Sequence, residues 1–279
     1  MHKKQQCRDF MVSNLDSMQH FLKILPNVAR DGALAAPNAT LRCALFAGAN
    51  ATNRRGLRRE TLASLSNFRL IYTGLRLDQG DLDCWLAVLQ AAHESPADLQ
   101  GRFCVSGQRL LRLMGLKNTG PNQDLLDGRL SKLKSGAIDL KGDRYSYEGS
   151  LIDEVFRDSV TQHVVIKLNP RMAILFGAES GWTKLSLDIR AKLGRNALAK
   201  WLYAYLASHR VPTPIGVSLL KELSSSEYAE LWRFRQHLRK ALAALNLATG
   251  WELDIDQGSD CLVGRPIRLV APKKQTVVR

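Results

Sequence analysis

One stretch of the sequence combines helical periodicity with side chains that can form paired hydrogen bonds. In Ser224–Leu247, apolar residues recur at three- and four-residue steps, which predicts a helix with one buried stripe and an N-cap in its serines. The other side is small, amide-bearing or basic: Ser226, Arg233, Gln236 and Lys240, with Arg235 and Arg239 on one shoulder. Arginine and glutamine can each bond a base edge in two places, so this pattern fits a helix presented to a DNA groove. An ordinary solvated helix shares the pattern.

A second set of polar residues accompanies an earlier predicted helix and hairpin. Its members are Asn122, Gln123, Arg129, Lys132, Lys134, Lys141 and Arg144. The two amides lie near the start of the helix, where side chains can reach bases, and the three cations that follow them would neutralise phosphates. The last two residues lie at the predicted hairpin tip, which would meet phosphate or the minor groove. For each residue alone, a solvated side chain without a contact is an equal alternative.

The motifs of several enzyme classes are missing from the sequence. It has no G-x-x-x-x-G-K-[ST] phosphate loop, no H-x-H pair of a metal-dependent nickase, and no H-x-x-R of a tyrosine recombinase. The pairs Asp81-x-Asp83 and Asp254-x-Asp256 could hold a metal ion, but they fit a helix start and an exposed strand better. His209 fits a helix C-terminus better than a catalytic base. We therefore expect no enzyme activity, no catalytic residue, no metal and no cofactor.

Charge and composition favour a polyanionic partner. The 279 residues include 40 Lys+Arg against 26 Asp+Glu, a formal net charge of +14. Such an excess suits DNA, RNA or an anionic surface. No apolar run approaches the roughly 20 residues of a membrane span, and no secretory signal is evident. The five cysteines are far apart without a C-x-x-C, which indicates reduced, partly buried thiols in a cytosolic protein.

The order of predicted elements suggests a fold of the α+β class, mainly α. From Phe68 the chain reads strand, helix, strand, helix, turn, helix and hairpin, the last formed by Ala137–Lys141 and Tyr145–Leu151 around Gly142-Asp143. Helices, a short connector, the long helix and a terminal hairpin then follow. This repeated order predicts two tandem winged-helix domains, a helix-turn-helix variant with a β-hairpin wing. Their bounds are 61–180 and 181–271, between a basic, partly flexible N-terminal arm at 1–60 and a basic tail at 272–279.

Several short motifs from about Leu41 onward resemble the TrfA family of plasmid replication initiators. They are Arg42-Cys43-Ala44-Leu45-Phe46, Ile71-Tyr72-Thr73-Gly74, Asp81-Leu82-Asp83, Arg129-Leu130-Ser131-Lys132-Leu133, Leu175-Phe176-Gly177, Trp182-Thr183-Lys184 and Trp201–Arg210 with Pro212 and Pro214. The Trp201–Arg210 motif is the most specific, because aromatic residues, Ser-His-Arg and two prolines in this order are hard to reach by chance.

The resemblance implies a set of partners and activities. It implies binding of double-stranded DNA at directly repeated origin sites (iterons), origin opening with the host initiator ATPase, and loading of the replicative helicase. It also implies a monomer–dimer equilibrium in which monomers bind the origin. A sliding-clamp peptide of the family corresponds to Gln19-His20-Phe21-Leu22-Lys23. Gln19 and Leu22 match it, whereas Lys23 replaces the final aromatic residue.

Two other classes use the same DNA-binding parts. A transcriptional repressor or partition adaptor binds DNA without remodelling an origin, and a palindromic site would indicate it because palindromes suit two-fold dimers. A nonspecific nucleic-acid protein would show no protected sequence at high salt.

Overall fold

The fold is taken from a computed structural model, which describes residues 21–22, 25–26, 32–49, 56–65, 68–98, 100–142, 146–158, 160–176, 181–209 and 214–265. The α-helices in these ranges are α1 (Asn38–Leu41), α2 (Gln79–Glu94), α3 (Gly107–Leu113), α4 (Gly120–Ser135), α5 (Leu187–Lys192), α6 (Ala197–Ala207), α7 (Val217–Leu223) and α8 (Leu231–Thr249). A 3₁₀ helix spans Pro170–Phe176.

Fourteen strands accompany these helices within the described ranges. They are β1 (Ala33–Pro37), β2 (Phe46–Ala47), β3 (Gly56–Leu62), β4 (Phe68–Leu75), β5 (Leu77–Asp78), β6 (Arg102–Ser106), β7 (Ala137–Gly142), β8 (Ser146–Gly149), β9 (Ile152–Asp158), β10 (His163–Leu168), β11 (Trp182–Ser186), β12 (Ile215–Gly216), β13 (Glu252–Asp256) and β14 (Cys261–Arg265). The chain is therefore a mixed α and β protein.

Two parts of the chain repeat one order of elements and one sheet topology. The first unit runs α2, β6, α3, α4, β9, β10, with the β7–β8 hairpin inserted between α4 and β9, and its sheet has the strand order β6-β10-β9. The second runs α6, β12, α7, α8, β13, β14, and its sheet has the order β12-β14-β13. In both units two consecutive helices follow the first strand, and the last strand lies in the middle of the sheet.

The predicted apolar stripes are buried, which confirms the periodicity argument for the main helices. Helix α2 begins with a capping box, in which Asp78 accepts from the Asp81 backbone while Asp81 accepts from Asp78. Its Trp85 is fully buried and stacks on Phe46 with ring centroids 5.9 Å apart. One continuous core contains buried residues of both units, so the units pack on each other.

The N-terminal region departs from the predicted arm. Strand β1 pairs antiparallel with β11 and is buried along its length, although Pro37 and neighbouring residues suggested a loop. The basic run after Thr52 continues into β3, which pairs with β4. Local composition did not reveal these strands because their partners lie far away in sequence, β11 more than 140 residues beyond β1.

The β7–β8 hairpin, predicted as the wing of the first unit, does not belong to the three-stranded sheet of that unit. Strands β7 and β8 do form an antiparallel hairpin, but they belong to a four-stranded sheet of order β3-β4-β7-β8. The hairpin that joins the sheet of the first unit is β9–β10, which corresponds to β13–β14 in the second unit. Turn chemistry locates a hairpin, whereas its sheet depends on pairing with distant strands.

Candidate nucleic-acid interface

Helix α8 presents the strongest candidate surface for DNA. Its inner face buries Phe234, Leu238 and Leu245, which fixes the rotation of the helix on the core. The exposed residues of this helix, called here the α8 stripe, are Trp232, Arg233, Gln236, Arg239, Lys240, Ala243 and Leu247. The stripe holds three cations, one amide and no acid. Such a surface can donate hydrogen bonds to phosphate oxygens and to base edges.

Trp232 belongs to this surface, although the sequence argument did not assign it a contact. Its side chain is 51% exposed, and the Arg233 guanidinium carbon lies 5.2 Å from its ring centroid. The four-residue spacing to Gln236 places both residues on one helix face, and this spacing was the signal available in the sequence. A half-exposed tryptophan beside an arginine offers an apolar surface to thymine methyl groups and sugars.

Ser226 is not part of the helix, contrary to the prediction. The helix begins at Leu231, after Glu230, and lacks a side-chain cap hydrogen bond. The three serines instead end α7, because their backbone N–H groups donate to the carbonyls of Leu220, Glu222 and Lys221. Ser225 then takes a left-handed conformation with φ of 56°. A run of serines can end one helix or begin the next, and here it ends the preceding helix.

Arg235 has a protein partner in the adjacent hairpin. Its Nε and Nη2 donate to the two carboxylate oxygens of Asp260, both at 2.7 Å. The hydrogen bond from Arg235 lowers the pKa of Asp260, so this carboxylate is ionised at neutral pH. The pair connects α8 to the β13–β14 turn. Arg235 therefore orients the hairpin beside the α8 stripe and is less available to phosphates than predicted.

The amides of the first unit support a turn. Asn122 Nδ2 donates to the Lys117 carbonyl at 2.8 Å, and Gln123 Nε2 donates to Asn118 Oδ1 at 2.7 Å. Both side chains are half-buried. Their donors thus stabilise the connection between α3 and α4. Base reading by these two residues stays a prediction, for which each retains a carbonyl oxygen as acceptor.

Lys132 cannot neutralise DNA phosphates, which corrects the prediction. Its side chain is 4% exposed, and its ammonium contacts Asp81, which is fully buried. Arg129 also faces inward, with its Nε 3.9 Å from Asp81 Oδ1 and its side chain 15% exposed. Burial raises the pKa of Asp81, and the Asp78 charge raises it further, although Lys132 lowers it. These cations of α4 therefore face the start of α2 instead of solvent.

We predict that Lys132→Met destabilises the fold by about 1–3 kcal/mol at pH 7, because it removes a hydrogen-bond donor to a buried carboxylate. The variant raises the pKa of Asp81 further. Since the folded variant then takes up a proton as the pH falls, the cost shrinks between pH 7 and pH 5. Urea unfolding at both pH values measures this, with exposed Lys134→Met on the same helix as the control. A cost that grows at lower pH contradicts the prediction.

The remaining candidates of the first unit are scattered. Lys134 is exposed in the last turn of α4. Lys141 is exposed on β7, in the last residue pair before the β7–β8 turn as predicted, with its Nζ 3.5 Å from Asp139 Oδ2. Arg144 lies outside the described residues. The outer side of α4 also carries acids, exposed Asp124 and half-exposed Asp127, and Arg157 of β9 pairs with the second at 2.8 Å. The outer side of α4 thus mixes acids with cations, whereas the exposed residues of α8 include no acid.

Of the predicted clamp-binding peptide, the structure describes Phe21 and Leu22. Gln19 lies outside the described residues. Phe21 is fully buried and packs edge-to-face on Phe176, with ring centroids 6.3 Å apart. Leu22 is partly buried against the same core. A clamp needs the leucine side chain exposed, so the position of Leu22 argues against binding through this segment.

Neither a metal site nor a membrane span is found where the structure describes the chain. In these ranges, no three His, Cys, Asp or Glu residues cluster as ligands for an ion. The side chains of Asp81 and Asp83 pair with different cations, Lys132 and Arg190. His209 bonds the Tyr205 carbonyl through Nδ1 at 2.8 Å, as expected for a residue after a helix C-terminus. No described helix has the length and apolar character to cross a bilayer.

The comparison with known proteins finds one matching family and several similar solved structures. The model of the family "TrfA protein" matches residues 1–251. A crystal structure of domains 2 and 3 of RctB is similar with a TM-score of 0.55 and 13% identity, over 83% of this chain and 99% of that chain. A second structure of RctB domains 2–3 has a TM-score of 0.50, 13% identity and coverage of 78% and 92%.

A third structure, the Pi initiator protein in complex with iteron DNA, has a TM-score of 0.48 and 17% identity over 66% of this chain and 90% of that chain. No curated protein matches the sequence. The RctB similarity shows the fold, and the family match covers most of the chain. Because the TrfA family model matches residues 1–251, this protein belongs to the TrfA family.

Proposed function

We propose that this protein initiates plasmid replication by binding directly repeated sites in double-stranded DNA. Membership of the TrfA family supports this proposal, and the observation that carries it is the α8 stripe. The stripe lies on the second of two consecutive helices, beside a hairpin, which is how helix-turn-helix proteins present a recognition helix to the major groove. Arg233 and Gln236 are then the base-reading candidates, while Arg239 and Lys240 contact phosphates.

Both units are winged-helix domains in this proposal. The repeated order of elements, with the hairpins β9–β10 and β13–β14 as wings, supports that assignment. The second unit contributes most of the base contacts, because its recognition helix has no exposed acid. The first unit adds weaker contacts through Lys134 and the amides of α4.

Origin opening with the host initiator ATPase and loading of the replicative helicase complete the proposed activity. Monomers bind the origin, in equilibrium with dimers that do not. The protein acts in the bacterial cytoplasm on plasmid DNA, without a membrane partner, an enzymatic activity or a cofactor.

Footprinting on a plasmid fragment that carries this gene and its flanking DNA tests the proposal. We expect regularly spaced protected segments in one orientation at about 150 mM salt, because specific contacts persist where nonspecific binding weakens. Permanganate reactivity in an adjacent AT-rich segment, after addition of the host initiator, would show opening. One protected palindrome would instead indicate a repressor, and uniform protection a nonspecific binder.

A further inference from the structure

A short segment at the start of α2 contacts the recognition elements of both units. At its beginning, Arg76 lies between β4 and β5, with a side chain that is 17% exposed. At its end, Asp81 pairs with Lys132 of α4. The contact to one recognition element and the contact to the other are therefore five positions apart in the sequence. The capping box of Asp78 and Asp81 keeps this segment rigid.

Arg76 binds the turn that precedes α8. Its Nη1 donates to Glu227 Oε1 at 2.8 Å, and its Nη2 donates to the Ser225 carbonyl. Ser225 has a left-handed backbone, a conformation that costs a non-glycine residue free energy and that persists where surrounding contacts hold it. A planar guanidinium that donates to two points fixes the position of the turn as well as its distance.

Other contacts join the two units without holding this turn by a side chain. Asp83 of α2 binds Arg190 of α5 and Lys200 of α6. The Gly48 N–H donates to the Ser224 carbonyl at 2.8 Å, which is a backbone contact. Loss of Arg76 would therefore leave the units packed together while it loosens the start of α8.

We propose that Arg76 is a positioning residue, which fixes the recognition helix of the second unit relative to the first and thereby sets the spacing of the DNA that the two units read. This inference rests on the proposed function, because it requires both units to contact one repeat. A rigid coupling makes binding sensitive to spacing, since one added base pair shifts the DNA by about 3.4 Å and rotates it by about 35°.

The test compares spacing tolerance. A duplex is selected from random sequence by the wild-type protein, and one base pair is then inserted between the segments that the two units protect. For wild type we expect the insertion to weaken binding at least tenfold. For Arg76→Ala we expect weaker binding to the original duplex, about five- to thirtyfold, and an insertion penalty below about threefold. When the start of α8 is less firmly held, binding to the original duplex is weaker, but the helix can adjust to the duplex with the inserted base pair.

Three further variants separate positioning from folding. Arg69→Ala, an exposed arginine of β4 that contacts Thr61 within its own sheet, is expected to keep both the affinity and the spacing penalty. Arg76→Lys keeps the charge but cannot donate to two points as the planar guanidinium does. We expect the inserted base pair to weaken its binding by an amount between those of wild type and Arg76→Ala. Glu227→Gln removes one charged partner and should shift the penalty in the same direction.

Two results would overturn the inference. Arg76→Ala with an unchanged insertion penalty would show a loss of affinity without a role in spacing. Arg76→Lys with the wild-type penalty would show that charge alone matters. If the wild-type protein selects no duplex at all, the proposed function itself fails, and that result is distinct from either of these.

Discussion

Replacing Arg233 and Lys240 together by alanine should weaken binding to the selected duplex by about two to three orders of magnitude. Arg233 is placed to bond a base, a contact typically worth about 1–3 kcal/mol of discrimination, and Lys240 to neutralise a phosphate. The slope of log affinity against log salt should become shallower by about one, because the one lost phosphate contact, that of Lys240, contributes about 0.9. Both residues are exposed on α8, so the fold should be retained.

The control variant removes the same charge elsewhere. Lys192 and Arg195 are exposed cations at and just beyond the end of α5, and their replacement by alanine also lowers the net charge by two. We expect that variant to bind within about threefold of wild type, because neither residue belongs to the α8 stripe that contacts the DNA in the proposed function. Equal losses in both variants would show that a diffuse positive field, not the α8 stripe, binds the DNA.

Replacing Asp83 by alanine should reduce the free energy of unfolding by about 3–5 kcal/mol, the usual cost of leaving a buried charge uncompensated. Asp83 Oδ1 accepts from Arg190 at 2.5 Å and Oδ2 accepts from Lys200 at 2.9 Å. Arg190 is 3% exposed, so its guanidinium cannot turn to solvent when the carboxylate is removed. Because typical domains have about 5–15 kcal/mol of stability in total, we expect a large shift of the urea midpoint.

The surface pair of Asp188 and Lys192 provides a matched control. These side chains are 70% and 57% exposed and 2.8 Å apart. Asp188→Ala should change stability by less than about 1 kcal/mol, because solvent screens an exposed pair. If the two variants lose similar amounts, the contact of α2 with α5 and α6 does not stabilise the packing of the units.

The pH dependence of this contact follows from its charges. Burial alone would raise the pKa of Asp83, but the charges of Arg190 and Lys200 outweigh burial and lower the pKa. A carboxylate with a lowered pKa contributes stability above its unfolded pKa of about 3.9, and this contribution is lost as the pH falls through the folded value. The difference in the free energy of unfolding between wild type and Asp83→Ala should therefore become smaller only below about pH 4.

Periodicity in the sequence was sufficient to locate the main helices and their buried faces. The stripes of α2 and α8 repeat at three and four residues, and Gly250 marks the end of α8. The exposed side of α8 followed directly, because the direction of a helix face is determined once its apolar face is known. Arg233, Gln236, Arg239 and Lys240 could therefore be predicted as exposed from the sequence alone.

Charged residues could not be assigned in the same way. Lys132 and Lys134 are two positions apart on α4, yet the first is buried against Asp81 and the second is exposed. A lysine carries the same signal in sequence whether it meets a phosphate or a buried carboxylate. Whether the lysine is buried depends on its partner, and Asp81, the partner of Lys132, lies 51 residues away in the sequence.

By itself, the sequence determined which segments are helices, which faces are apolar, that the chain carries a large positive charge, and that its motifs resemble the TrfA family. Only the tertiary structure decided which hairpin joins each three-stranded sheet, that β1 belongs to the core, that Arg76 and Asp83 connect the two units, and that Asp81 connects α2 to α4 within the first. The physical reason is the sequence distance between the residues that interact. Helical periodicity arises from neighbours three or four residues apart, whereas strand pairing and buried ion pairs join residues distant in the chain.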